Sequence, residues 1–217
     1  MRVPEPPTLA ELDASLQRAC SRWRVVEASD GDYEQSVADG RIPTRTGSWH
    51  DAFNVLAFVR FPAAKAALHR RTLALRIVRL TELTNRGRRS RGEDALALLD
   101  ECTLLFGGAP DALARFDAAR STGDLARIDA VVNDGGLVVA CFGHALLEHR
   151  VLRRPPIGAG VVTLAITEPR IDALDASLAS AIEAGRFHAP CFTPTLPWPD
   201  PRVDAWLSNG PGGPFEI

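Results

Sequence analysis

The run Thr44-Arg45-Thr46-Gly47-Ser48-Trp49-His50-Asp51-Ala52-Phe53-Asn54 brings together an arginine, a histidine, an aspartate and an asparagine just where an apolar stretch, Val55-Leu56-Ala57-Phe58, begins. Polar groups within an apolar helix must find hydrogen-bond partners or they cost stability. The cluster therefore marks either a buried network or a site. His50 and Asn54 stand four apart and share one helix face, with Asp51 about a quarter-turn away. Lys65 follows one turn into the next helical stretch. His144 and Glu148 repeat the i, i+4 spacing, and Asp100-Glu101 are adjacent carboxylates.

Two imidazoles with carboxylates suit zinc, manganese or iron. A carboxylate beside an imidazole also suits general acid–base work. Read as a metal-assisted hydrolase, the chain offers His50, Asp100, His144 and Glu148 as ligands of a divalent transition metal. Asp51 or Glu101 then orients a group or acts as base. Arg45, Asn54 and Lys65 contact a small-molecule ligand, with the two cations holding its anionic group. The spacing is not that of H-E-x-x-H or another named metal motif. The competing reading is structural. In it His50 and Asn54 bond loop backbone around Arg45, His144 starts its helix, and Glu148 pairs with Arg150 or Lys65, as buried polar networks do when they specify a fold. A binding or scaffold protein needs no more than that.

The elements that must carry these residues are legible in outline. Thr8 with Glu11 is a capping-box pattern ahead of Leu9, Leu12 and Leu16 at helical spacing. A short helix is expected around Tyr33–Val37, ending near Gly40. Ser48 caps a helix from Trp49 to Arg60, and Pro62 opens the next, running towards Leu80. Ala95–Leu99 and Thr103–Phe106 flank Asp100-Glu101-Cys102. Their shortness predicts a hairpin, which puts the two carboxylates at a turn or strand end; a continuous helix is the competing reading, since Ala and Leu are good helix formers. Helices are expected over Pro110–Arg120 and Gly123–Val132, with a turn at Asn133-Asp134-Gly135-Gly136. Leu137–Phe142 reads as a strand or as the start of the helix Gly143–Leu152. After a Pro/Gly-rich connector, Arg153–Gly160, the β-branched run Val161–Thr167 is the clearest strand. Asp172–Ala184 is helical. Residues 186–217 read as an irregular, Pro/Gly-rich tail anchored by Trp198 and Trp206. The sum is a helix-rich α+β fold, one domain with a small sheet or hairpin, and too little strand–helix alternation for a doubly wound sheet.

The 217 residues are 46% hydrophobic and 24% charged with a net charge of −2, an ordinary globular composition. Nothing in that balance draws the chain to nucleic acid or to a membrane surface. The arginines Arg86, Arg88, Arg89 and Arg91 form a basic loop without interleaved aromatic residues, which reads as solvated more readily than as a phosphate or RNA contact. The first twenty residues lack a signal-peptide pattern and no apolar run spans a bilayer, so a cytoplasmic protein is expected. Cys20, Cys102, Cys141 and Cys191 form no C-x-x-C pair and read as reduced thiols.

The order of motifs resembles one bacterial family. W-H-D-A-F-N (Trp49–Asn54) is followed by F-P-A-A-K-A-A-L (Phe61–Leu68), by E-D-A-L-A-L-L-D-E (Glu93–Glu101) and by F-G-H-A-L-L-E (Phe142–Glu148). The pattern is similar to the domain of unknown function numbered three-zero-two-five, over roughly Tyr33 to Leu152. The resemblance implies that the four segments belong to one domain, and it carries no activity. The chain departs from the family pattern at Ala97 and Leu99, where Thr and Phe are expected, and at His69, where Asn is.

Overall fold

The computed structural model describes residues 4–81, 88–188 and 195–209. The chain is a helix-rich α+β protein. It divides into two compact units. One holds the described residues up to Ala97 together with 179–188; the other holds Leu98–Leu178 and the described residues from 195 on.

In the first unit, α1 (Leu9–Ala19) opens with the expected reciprocal capping box between Thr8 and Glu11 and buries Leu12 and Leu16. It packs on β1 (Arg24–Glu27) and on α3. α2 (Tyr33–Ala38) is capped by Asp32 and stops before Gly40, whose φ of +82° suits glycine. β2 (Arg41–Thr44) then pairs in parallel with β1. Ser48 accepts a hydrogen bond from the Asp51 backbone and starts α3 (Trp49–Arg60). Pro62 begins α4 (Pro62–Thr81), which is buried from Ala64 to His69 and then emerges to solvent.

The expected hairpin is replaced by a helix and a strand. α5 (Arg91–Cys102) runs through Ala95–Leu99, and Asp100 and Glu101 sit in its last turn, not at a turn between strands. The cause is local. Ser90 Oγ accepts the Glu93 N–H at 3.2 Å while Glu93 Oε2 accepts the Ser90 N–H at 2.7 Å, a capping box that launches a helix through good helix formers. Only Thr103 onward is extended.

The second unit is built on a four-stranded sheet in the order β4-β3-β5-β6. β3 (Thr103–Gly108) is antiparallel to β4 (Leu137–Cys141) and parallel to β5 (Ile157–Ala165). β5 begins inside the stretch expected as a connector. Between β3 and β4 come α6 (Pro110–Ser121) and α7 (Leu125–Asn133), and α8 (His144–Val151) follows β4. After α9 (Ile171–Glu183) the segment expected to be irregular supplies an edge strand, β6 (Leu196–Trp198), and a helix, α10 (Pro201–Asn209). The two tryptophans read as anchors are buried. Trp198 donates its indole N–H to the Leu146 carbonyl at 2.6 Å, and Trp206 donates to Asp129 at 2.6 Å.

Candidate functional site

Of the residues that the sequence places in one constellation, Arg45, His50, Asp51, Asn54 and Lys65 belong to the first unit and Asp100, Glu101, His144 and Glu148 to the second. In the first unit α3, α4 and α2 share a buried polar network. Lys65 is fully buried; its Nζ donates to Asn54 Oδ1 at 2.7 Å and lies 4.7 Å from the centre of the Phe58 ring. Asn54 donates its amide to the Tyr33 hydroxyl at 2.7 Å. One turn along α4 from Lys65, His69 stacks on Phe58 and its Nδ1 lies 2.8 Å from Glu34 Oε2. Asn54 and Lys65 are thus brought together, but they satisfy each other inside the protein. The pairing follows from burial, because a buried ammonium needs an oxygen acceptor.

Arg45 and Asp51 form a second lock. Asp51 accepts the Arg45 backbone N–H at 2.7 Å and its guanidinium at 2.9 and 2.7 Å. Burial pushes the Asp51 carboxyl up, but the side-chain and backbone hydrogen bonds and charge of Arg45, with a contribution from His50, outweigh it and hold the group below its ordinary range. Arg45, engaged by Asp51, pins the loop ahead of α3. His50 stands beside Asp51 on the first turn of that helix, half-buried.

The second unit contains a histidine with two carboxylates. α5 ends in Asp100-Glu101-Cys102 and passes straight into β3, while β4 passes through Phe142-Gly143 into α8. The two junctions lie side by side: the backbone N–H groups of Phe142 and Gly143 both donate to the Thr103 carbonyl, at 3.1 and 2.9 Å. Glycine is required at 143 by this approach. A Cβ there would stand 2.3 Å from the Thr103 nitrogen and 2.7 Å from the Cys102 nitrogen. The close contact sets His144, the first residue of α8 and only 3% exposed, against the end of α5. Its Nε2 lies 3.4 Å from Glu101 Oε2 and its Nδ1 lies 3.9 Å from Asp100 Oδ1. Glu101 is partly exposed and Asp100 mostly covered, at 39% and 14%.

The ligand atoms of Glu101 and His144 are close enough to share one ion. Glu148, expected on the same helix face as a further ligand, pairs with Arg154 at 3.0 Å. Of the basic loop, Arg86 lies outside the described residues; Arg88 and Arg89 are exposed, and Arg91 opens α5. Glu93, which follows the loop, pairs with Arg79 at 2.8 Å.

Sequence reasoning missed Tyr33, Glu34 and His69. The i, i+4 spacing of Lys65 and His69 was a usable signal, whereas the partners on α2 are more than twenty residues away and leave no local trace. No curated protein and no solved structure matches the chain. The motif resemblance, read over Tyr33 to Leu152, is extended at both ends by a family model that matches residues 23–201 and so takes in β5, α9 and β6. With most of its length matched, the chain belongs to the family described as Protein of unknown function (DUF3025).

Proposed function

We propose that this protein binds a divalent transition metal through His144 and Glu101 and uses the ion to activate water for hydrolysis of a small-molecule substrate. The observation that carries the reading is the 3.4 Å between His144 Nε2 and Glu101 Oε2. Two ligand atoms about 2.0–2.1 Å from one tetrahedral ion stand roughly 3.3 Å apart, whereas a direct N–H···O hydrogen bond settles near about 2.9 Å. A buried imidazole with a partly exposed carboxylate at its edge gives an ion both a dry ligand and a path from solvent. Bound water on such an ion reaches a pKa of about 7, which supplies the nucleophile at neutral pH. The free thiols Cys20, Cys102 and Cys141 accord with a cytoplasmic location.

The test is metal titration of chelator-stripped protein with zinc, manganese and ferrous iron. One equivalent per chain is expected for at least one of them, with affinity reduced at least about tenfold in His144→Ala and Glu101→Gln, since each removes one ligand. Glu148→Ala is expected to bind normally. Absence of stoichiometric binding of all three ions sinks the reading.

A second reading is supported by the Tyr33–Asn54–Lys65 chain of hydrogen bonds. In it the protein is a non-catalytic binding or scaffold protein, and its polar clusters specify the fold. Under that reading Glu101→Gln changes neither metal content nor any turnover.

A further inference from the structure

Asp100 and Glu101 address opposite edges of the same imidazole. Glu101 Oε2 faces Nε2 at 3.4 Å and Asp100 Oδ1 faces Nδ1 at 3.9 Å. The lone pair of each ring nitrogen lies in the ring plane and points away from the other nitrogen. An ion shared by Nε2 and Glu101 is therefore out of reach of the oxygen beside Nδ1. The sequence alone makes Asp100 a ligand and Glu101 a base or orienting group; the two distances support the reverse assignment. We propose that Asp100 is a positioning residue for His144, one that holds the proton on Nδ1 and so presents the Nε2 lone pair to the ion. The inference rests on the metal reading above and adds a role to a residue that never touches the ion.

Three features carry it. A carboxylate is an acceptor only, so a proton held between it and Nδ1 belongs to the ring. Adjacent positions in the last turn of α5 project about 100° apart, which lets one helix end reach both edges of the ring. The inner carboxylate is screened from water and the outer one is not, at 14% against 39% exposed. The first arrangement suits orientation and the second suits capture of an ion. At 3.9 Å the Asp100 contact is an ion-pair distance, longer than a hydrogen bond. An ion held on Nε2 would withdraw electron density from the ring and so strengthen Nδ1–H as a donor towards Asp100. Partners of this kind fix ligand orientation and are worth about 10- to 100-fold in metal affinity.

The experiment uses the full chain with 15N-labelled histidine. Zinc affinity is measured by chelator competition, and the His144 tautomer is read from long-range 1H–15N spectra of the zinc-loaded protein. Wild type is expected to show Nδ1–H alone. Asp100→Asn keeps an acceptor oxygen; it should keep that tautomer and lose only a few-fold in affinity. Asp100→Leu should bind about 10- to 100-fold more weakly and show a mixed or reversed tautomer. Thermal unfolding of both variants controls for folding, and the isosteric asparagine variant keeps the test open if the leucine variant does not fold. Wild-type affinity and tautomer in Asp100→Leu overturn the inference. So does loss of binding in Asp100→Asn as complete as in Glu101→Gln, which makes Asp100 a ligand. Wild-type protein that takes up no zinc, manganese or iron is a different failure, since it removes the metal reading itself.

Discussion

Lys65 is an ammonium with no exposed surface, and the cost of burying it is met in part by Asn54 Oδ1 and the face of Phe58. Asn54 in turn is held by Tyr33. Replacing Asn54 with Leu keeps approximate volume but takes an acceptor from a buried cation and a donor from the Tyr33 hydroxyl. Stability is expected to fall by roughly 1–3 kcal/mol, read as a lower urea midpoint at unchanged slope. An unchanged midpoint counts against the network. In a double-mutant cycle, Asn54→Leu in a Lys65→Met background should cost less than it does alone, because the ammonium that loses an acceptor is already gone. Some of this was legible in the sequence. A lone asparagine among Phe53, Val55, Leu56 and Phe58 announces a buried, paired amide. The identity of its partners was not legible, since Tyr33 and Glu34 approach α3 and α4 only through the packing of α2.

At the scale of elements, the site depends on the crossing of two junctions, α5 into β3 and β4 into α8. Gly143 permits that crossing. Its φ is −67°, so any residue fits the backbone there; what forbids a side chain is the Thr103 nitrogen 2.3 Å from where Cβ would lie. Gly143→Ala must push α8 away from backbone, which cannot yield as a side-chain tip does. A loss of about 1–3 kcal/mol is expected, the usual range for overpacking. If the metal reading holds, zinc affinity falls with it, because His144 is the next residue. Near wild-type stability in Gly143→Ala shows that the junctions separate freely and removes the argument for a fixed His144. F-G-H was readable as a motif, but the need for glycine in it was not, since the clash is with residues forty positions earlier. The helix carrying Asp100 and Glu101 was in principle readable. Ser90-Arg91-Gly92-Glu93 has the same S/T-x-x-E form as Thr8–Glu11, and weighing it would have favoured α5 over the hairpin. β6 was hidden for a different reason. Three residues with a proline at their centre carry no strand periodicity, and Pro197 is tolerated because an edge strand leaves one side unpaired.

Across the whole molecule, no helix among the described residues is long and apolar enough to cross a membrane, and the small net charge of −2 leaves local pairs to set the response to pH. Two covered carboxylates contribute to that response. Burial pushes Glu93 up, yet its hydrogen bonds from Arg79 and Ser90 and the Arg79 charge hold it below its ordinary range, as Arg45 does for Asp51. A carboxyl whose folded pKa is depressed binds fewer protons folded than unfolded, so it contributes stability above its unfolded value, about 4, and loses it as pH falls through the folded value. Wild-type stability should therefore be level near neutrality and decline steeply below about pH 4. Asp51→Asn with Glu93→Gln should lower stability at pH 7 by about 2–4 kcal/mol for the two charge-assisted sites together. The same variant should flatten the acid limb, so that its stability approaches wild type near pH 2. The check is a series of urea unfolding curves from pH 7 to pH 2 on both proteins. Parallel curves, with the variant offset by a constant amount at every pH, mean that neither carboxylate is depressed by its arginine and that the acid limb arises elsewhere in the chain.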